Sequence, residues 1–315
     1  MKAVQFSKTG DPEVLQVQEV PDPTPGPEDV LIEVKATTVN RLDLFQRAGS
    51  RPVGPLPFTP GLEAAGVVLQ DAHGFRAGER VLTDTAASAK GGGGYAGKIA
   101  PRAADLIRIP DSVTFEQAVA VGLAGSTAWA CLFDVGQLKA GERVLIWAGS
   151  SGVGSLAIQL AKHAGAWVAT TASSDQRADS VRKLGADEVI NYHQQDLAKV
   201  LSGDKGVNLV LELVGSTLQT SIDASAADGR VVLVGNLGGA ESTVNTQSWR
   251  LKRVHVLGGG MLHTSVANMQ KMLQLVAEKA ITPLIARTLP IEQAAEAHRL
   301  LASGEPQGKI VLLHA

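Results

Sequence analysis

The segment Trp147-Ala148-Gly149-Ser150-Ser151-Gly152-Val153-Gly154-Ser155 is the stretch of this chain whose residue types and spacing most plainly serve chemistry. It follows the apolar run Val144–Ala148. It leads into Ser155–Ala164, where Leu156, Leu160, Ala161 and Ala164 share one helical face. A strand that turns through glycines into a helix offers backbone N–H groups and the positive end of a helix dipole to an anion. Glycine at 152 and 154 removes the Cβ atoms that would hold a pyrophosphate away, and lets the helix start close to the sheet. The strict G-x-G-x-x-G spacing is absent, and a glycine cluster alone is as well an ordinary turn. The strand before it, the helix after it and a further strand at the right distance make it a dinucleotide loop. Ser150 and Ser151 do not form a nucleophile elbow, which needs G-x-S-x-G.

The residues that follow bear on the second half of such a ligand. An acidic side chain about 20 positions on binds the ribose 2′-hydroxyl of NAD. Ala172 stands at that place, followed by Ser173, Ser174, Asp175, Gln176 and Arg177. Two hydroxyls and a guanidinium suit a 2′-phosphate, so the expected cofactor is NADPH over NADH. Asp175 is the counter-indication, unless it only caps the next helix.

These groups need a frame, and the frame reads as α/β. Beyond the loop come strand Trp167–Thr171, helix Gln176–Leu184, strand Glu188–Asn191, strand Val207–Leu211, helix Leu218–Ala226 and strand Arg230–Val234. Val254–Leu257 is a candidate edge strand. Strands alternating with helices predict a doubly wound parallel sheet covered on both faces. Residues 1 to about 120 read instead as short strands (Lys2–Phe6, Val30–Ala36, Ala65–Leu69, Arg80–Leu82) among turns rich in proline and glycine, a β-rich domain. The run Gly91–Gly94 reads as a mobile surface loop. The last fifty residues hold two helical patterns, near Val266–Lys279 and Ile291–Ala302, and a terminal strand Lys309–Leu313 that returns to the first domain. The expected division is 1–122, 123–262 and 263–315.

Composition narrows the classes. The chain has 315 residues, a net charge of -2 and no long basic run, so nucleic acid is not an expected partner. A single cysteine, Cys131, excludes an intramolecular disulfide and reads as a small buried hydrophobe. The N-terminus opens as a strand and not as a signal peptide. No apolar run is expected to reach the ~18 residues of a membrane helix. A soluble cytoplasmic protein is the expectation.

Several segments carry a resemblance to a family. Gly61-Leu62-Glu63-Ala64-Ala65-Gly66, Gly78-Glu79-Arg80-Val81, Ala148–Gly154 and Leu184-Gly185-Ala186-Asp187-Glu188-Val189-Ile190-Asn191-Tyr192 make the chain similar, over nearly its whole length, to the zinc-free quinone oxidoreductase (zeta-crystallin-like) branch of the medium-chain dehydrogenase/reductase superfamily. The resemblance implies a GroES-like catalytic domain with an inserted Rossmann domain. Zinc ligands of the superfamily's alcohol dehydrogenases are matched here by Asn40 and Leu62, with no cysteine near Leu123, so no metal is expected. Without that Lewis acid, the expected reaction is hydride transfer from nicotinamide C4 to a quinone. An alkenal or enone double-bond reductase is the alternative, and a cofactor-binding protein without catalysis a third reading. By resemblance, Asn40 and Asp43 line the floor near the nicotinamide, Phe45 replaces a frequent tyrosine, and Thr127 lies beside the ring. Ser151, Gly152, Val153 and Gly154 take the pyrophosphate, Ser173, Ser174 and Arg177 the 2′-phosphate, and Tyr192 the adenine-phosphate side. Val214, Gly235 and Asn236 end strands at the sheet edge where cofactors lie. Lys309 matches a position that often reaches the cofactor. A homodimer through edge strands is the family expectation.

Overall fold

The computed structural model describes residues 1–85, 92–201, 206–260 and 262–315. The chain divides into two units, the first made of Met1–Leu123 with Ser265–Ala315, the second of Ala124–Thr264.

The first unit opens with β1 (Lys2–Gln5) and β2 (Gln16–Glu19), an antiparallel pair. Then come β3 (Ile32–Thr38), helix α1 (Arg41–Ala48), β4 (Ala64–Val68), β5 (Arg80–Thr83), β6 (Lys98–Ile99) and β7 (Ile107–Arg108). The chain continues as helix α2 (Phe115–Trp129), interrupted at Gly122, whose φ of -28° and ψ of -110° are not helical.

The second unit alternates as its sequence pattern suggests. Its strands are β8 (Arg143–Ile146), β9 (Trp167–Ala172), β10 (Glu188–Asn191), β11 (Val207–Glu212), β12 (Ser225–Leu233) and β13 (His255–Gly258). Between them lie α3 (Gly152–His163), α4 (Asp175–Lys183), α5 (Leu197–Leu201), α6 (Leu218–Ala224) and α7 (Thr246–Lys252). All pairings are parallel, in the order β10-β9-β8-β11-β12-β13. That is the doubly wound Rossmann order, with the reversal between β8 and β11. Val144, Leu145, Ile146, Val168, Ala169, Leu209, Val210 and Leu211 are fully buried, as central strands covered on both faces must be.

The chain then returns to the first unit through α8 (Val266–Ala277), β14 (Ile285–Pro290), α9 (Ala294–Ser303) and β15 (Lys309–Leu313). The sheet order there is β14-β15-β3-β4-β5-β7, with β6 also on β3. β15 runs antiparallel to β3, Val311 opposite Thr38. Two residues back along β15, that register sets Lys309 beside Asn40. A strand from the C-terminus thus delivers a cation to the end of β3.

Three sequence expectations change. Gly92–Gly94 do not form a surface loop. Gly93 and Gly94 are buried, and their N–H groups bond to the carbonyls of Thr59 (3.2 Å) and Gly61 (2.9 Å). Gly91, the first residue of that run, lies outside the described residues. Secondly, one helical stretch, Phe115–Val135, is long and apolar enough to cross a membrane, although two thirds of it is buried within the protein, as a core helix would be. Thirdly, the helix after the glycine loop begins at Gly152 and not at Ser155, so the glycines are its first turn.

Candidate functional site

The glycine loop leaves β8 and enters α3 directly. Ala148 takes a φ of 51°, an uncommon value for a non-glycine residue, and its N–H is held by the Thr171 hydroxyl at 3.0 Å. A Cβ on Gly154 would lie 2.3 Å from the Ala148 carbonyl oxygen, so only glycine lets α3 sit this close to the strand end. Ser151 is the N-cap, its Oγ accepting from the Gly154 N–H at 3.0 Å. That bond occupies the Gly154 donor. The N–H groups of Gly152 and Val153 meet no acceptor among the described residues. These two donors, at the positive end of a twelve-residue helix, have the geometry that an anion could use.

Across β9 the next turn carries Ser173, Ser174 and Arg177. Ala172 ends the strand and is buried, so no carboxylate stands at the ribose position. Ser174 is the N-cap of α4, its Oγ accepting from the Arg177 N–H at 3.4 Å, while Asp175 is the first helical residue and not the cap. The Arg177 side chain reaches back to the glycine loop, where Nη1 donates to Ser150 Oγ at 2.9 Å. The structure thus brings the expected pyrophosphate and 2′-phosphate elements together through a residue, Ser150, that sequence reasoning set aside. Tyr192 follows β10 and is 48% exposed, stacked at a tilt on His193 with ring centroids 4.4 Å apart. The turns after β11 and β12 are joined by the Gly238 N–H bonding to the Val214 carbonyl at 2.8 Å, so Val214, Gly235 and Asn236 belong to one loop pair. Beneath them Glu212, fully buried, accepts from the N–H groups of Val214 (2.9 Å) and Gly215 (3.0 Å) and from the hydroxyls of Thr217 (2.8 Å) and Ser221 (2.5 Å). Nothing in the sequence had marked Glu212. Thr127, half-buried on α2, also belongs to this unit.

The first unit holds a buried polar cluster centred on Glu63. Its Oε1 accepts from Asn40 Nδ2 (3.0 Å), Lys309 Nζ (3.1 Å) and the Thr38 hydroxyl. Its Oε2 accepts from the Leu123 N–H, just past the break in α2. A Cβ on Gly122 would lie 2.6 Å from Oε2, so the break is where the helix makes room for the carboxylate. Lys309 Nζ also donates to Asn40 Oδ1 at 2.6 Å. Glu63 was visible in the sequence only as a letter of the G-x-E-x-x-G marker. Asp43, expected on the floor near the nicotinamide, is fully buried, with Oδ2 taking the Asn40 N–H (2.8 Å) and Oδ1 the Gly61 N–H (3.1 Å). Burial pushes its carboxyl up to about 7, against the pull of those two N–H groups. Phe45 is half-buried on α1. Cys131 is fully buried, and burial pushes its thiol up to about 12, which makes it an inert packing group.

The family model described as the alcohol dehydrogenase GroES-like domain matches residues 26–111, and the one described as zinc-binding dehydrogenase matches 152–278. Quinone oxidoreductase from Rattus norvegicus is 32% identical, the match covering 99% of this chain and 98% of the relative. The chain belongs to the quinone oxidoreductase branch of the medium-chain dehydrogenase/reductase superfamily. At 32% identity, over 99% of this medium-chain reductase and 98% of the relative, stands 2-haloacrylate reductase from a Burkholderia species. Among solved structures, an NAD-dependent alcohol dehydrogenase matches with a TM-score of 0.91 at 32% identity, covering 100% of both chains. Escherichia coli quinone oxidoreductase complexed with NADPH matches with a TM-score of 0.89 at 31% identity, again over 100% of both.

The description of the second matched family raises the question of zinc. A zinc ion needs about four ligands, mostly thiolate and imidazole. Asn40, Leu62 and Leu123 offer neither, and the Glu63 carboxylate is already taken by four donors, one of them the Lys309 ammonium. Among the described residues no group of three or more His, Cys, Asp or Glu could hold a metal ion. The residues here do not fit zinc.

Proposed function

We propose that this reductase is an NADPH-dependent quinone oxidoreductase that works without zinc. The observation that carries the reading is Arg177. Its guanidinium is tied to the pyrophosphate-type loop, beside a strand end that bears Ala172 where a carboxylate would select NAD. NADPH, when bound, supplies a hydride from nicotinamide C4. The N–H groups of Gly152 and Val153 bind the pyrophosphate, with Ser151 and Gly154 shaping the turn. Ser173, Ser174 and Arg177 take the 2′-phosphate. Tyr192 flanks the adenine side, and Val214, Gly235 and Asn236 bound the cofactor at the strand ends. Asn40, Phe45 and Thr127 are the side chains we assign to the acceptor and the nicotinamide, and Asp43 acts by fixing the start of α1. Among the described residues Lys309 donates to two acceptors, Asn40 and Glu63, and has three N–H bonds. The third can go to a cofactor or acceptor oxygen. A quinone delocalises the incoming charge over its ring, so positioning and such donors suffice without a Lewis acid.

The second reading, reduction of an activated carbon–carbon double bond, rests on the 32% identity to 2-haloacrylate reductase. Turnover of 1,4-benzoquinone, 9,10-phenanthrenequinone and 2-alkenals with NADPH, on metal-free enzyme, separates the two. Quinone turnover without metal is expected. An enal reduced while every quinone is refused would overturn the proposal. Arg177→Ala is expected to raise KM for NADPH about tenfold or more, a charge-assisted contact being worth roughly 1.5–3 kcal/mol, and to spare NADH. We further propose a cytoplasmic homodimer joined through β13, the last strand of its sheet.

A further inference from the structure

We infer that Ser150 is a specificity-determining residue, which selects NADPH by holding Arg177 ready for the 2′-phosphate. The inference rests on the NADPH reading above and adds to it a residue of the glycine loop that has no part in that reading. The two loop serines have different tasks. Ser151 spends its oxygen on the α3 cap, the bond from Gly154 N–H at 3.0 Å. Ser150 Oγ faces the other way and accepts from Arg177 Nη1 at 2.9 Å.

Both ends of that contact are anchored. Ser150 is 6% exposed and lies between fixed points. The Ala148 N–H is bonded to Thr171 Oγ1 at 3.0 Å, and the Ser151 N–H to the Ala148 carbonyl at 2.9 Å. Arg177 is rooted in the first turn of α4, where Ser174 Oγ takes its N–H. The arginine therefore spans from one phosphate-binding turn to the other with its root and its tip held. A guanidinium carries its N–H donors in a rigid fork that can meet more than one acceptor at once. A long side chain already fixed in a binding posture loses less freedom when a ligand arrives. The 2′-phosphate is the part of NADPH that NADH lacks, so this preorganisation acts on the difference between the two cofactors. An alanine at 150 leaves the loop backbone and the Ser151 cap in place while removing the bond that ties Arg177 Nη1 to the loop.

The test is isothermal titration of the full-length protein, and of its Ser150→Ala, Arg177→Ala and doubly substituted forms, with NADPH and with NADH. Ser150→Ala is expected to raise Kd for NADPH about three- to tenfold, the range of one modest hydrogen bond, and to shift NADH less than twofold. In the Arg177→Ala background, Ser150→Ala is expected to add nothing. Tighter NADPH binding in Ser150→Ala would show that the serine competes with the phosphate, and would overturn the inference. An equal loss for both cofactors would overturn it too, as damage to the loop, and so would a full extra loss in the Arg177→Ala background. The underlying NADPH reading fails separately: wild-type protein would then bind the two cofactors alike, and Arg177→Ala would weaken both equally.

Discussion

Glu63→Gln is the substitution that probes the first unit most sharply. Glutamine keeps the size of the side chain but has one acceptor oxygen and a donating amide. Oε1 of the native carboxylate meets three donors, from Thr38, Asn40 and Lys309, and Oε2 meets the Leu123 N–H. Whichever way the amide turns, its NH2 faces at least one buried donor. The Lys309 ammonium, 7% exposed, also loses the buried carboxylate it is paired with. Breaking a buried ion pair from one side costs about 3–5 kcal/mol. For a unit of this size that lowers Tm by roughly 6–20 °C. The readout needs care, because Trp129, Trp147, Trp167 and Trp249 all lie in the second unit. Tryptophan fluorescence would follow the wrong half of the molecule. Hydrogen exchange of the β3, β4 and β15 amides, with far-UV circular dichroism in urea, reports the right one. Lys309→Met in the Glu63→Gln background is expected to recover part of the loss, with a coupling of about 2 kcal/mol. A cost below about 1 kcal/mol, the scale of an exposed pair, together with strict additivity, would refute the assignment of a buried charge pair.

Other outcomes follow from the same geometry. Gly154→Ala puts a Cβ 2.3 Å from the Ala148 carbonyl oxygen. The loop must shift, so NADPH affinity is expected to drop more than about tenfold and stability by about 1–3 kcal/mol. Calorimetry with unchanged affinity would contradict that. Among the titrations of the first unit, two oppose one another. Asp43, raised to about 7, contributes stability that is full below the ordinary aspartate value of 3.8 and is lost as pH rises through 7. His298 is pushed down to about 3 by burial, helped by the charge of Arg47, so its contribution is lost as pH falls from 6.5 toward 3. Between about pH 4 and 6.5 the two slopes oppose one another. Asp43→Asn is therefore expected to make stability rise with pH across that window more steeply than in the wild type, by up to about 1.4 kcal/mol per pH unit. Urea titrations at half-unit steps check it, and equal slopes in both proteins would refute it.

Local patterns carried much of this protein. Strand, glycine turn and helix around Val144–Ala164 were legible because each rests on neighbours in sequence: a run of apolar residues, small residues at the turn, a 3.6-residue stripe. Lys309–Leu313 was read as a strand to the residue. α2 was not legible, because its first half is apolar on nearly every side, with Ala118, Val119, Ala120 and Val121 all buried, and such a segment shows no stripe. α1 was hidden by its position between β-rich turns.

The chemistry of the two sites divided along the same line. The residue types we propose for phosphate binding, from Ser151 to Gly154 and at Ser173, Ser174 and Arg177, were chosen from sequence alone, since a fingerprint is a local spacing. The partners could not. Ser150 meets Arg177 only because β8 and β9 are parallel neighbours that turn at the same edge of the sheet. Glu63 meets Lys309, 246 positions away, only because β15 lies antiparallel on β3. Side-chain identity and periodicity are properties of adjacent residues, and the sequence by itself determined them. Which cation neutralises which buried carboxylate depends on strand register, and only the tertiary structure decided that.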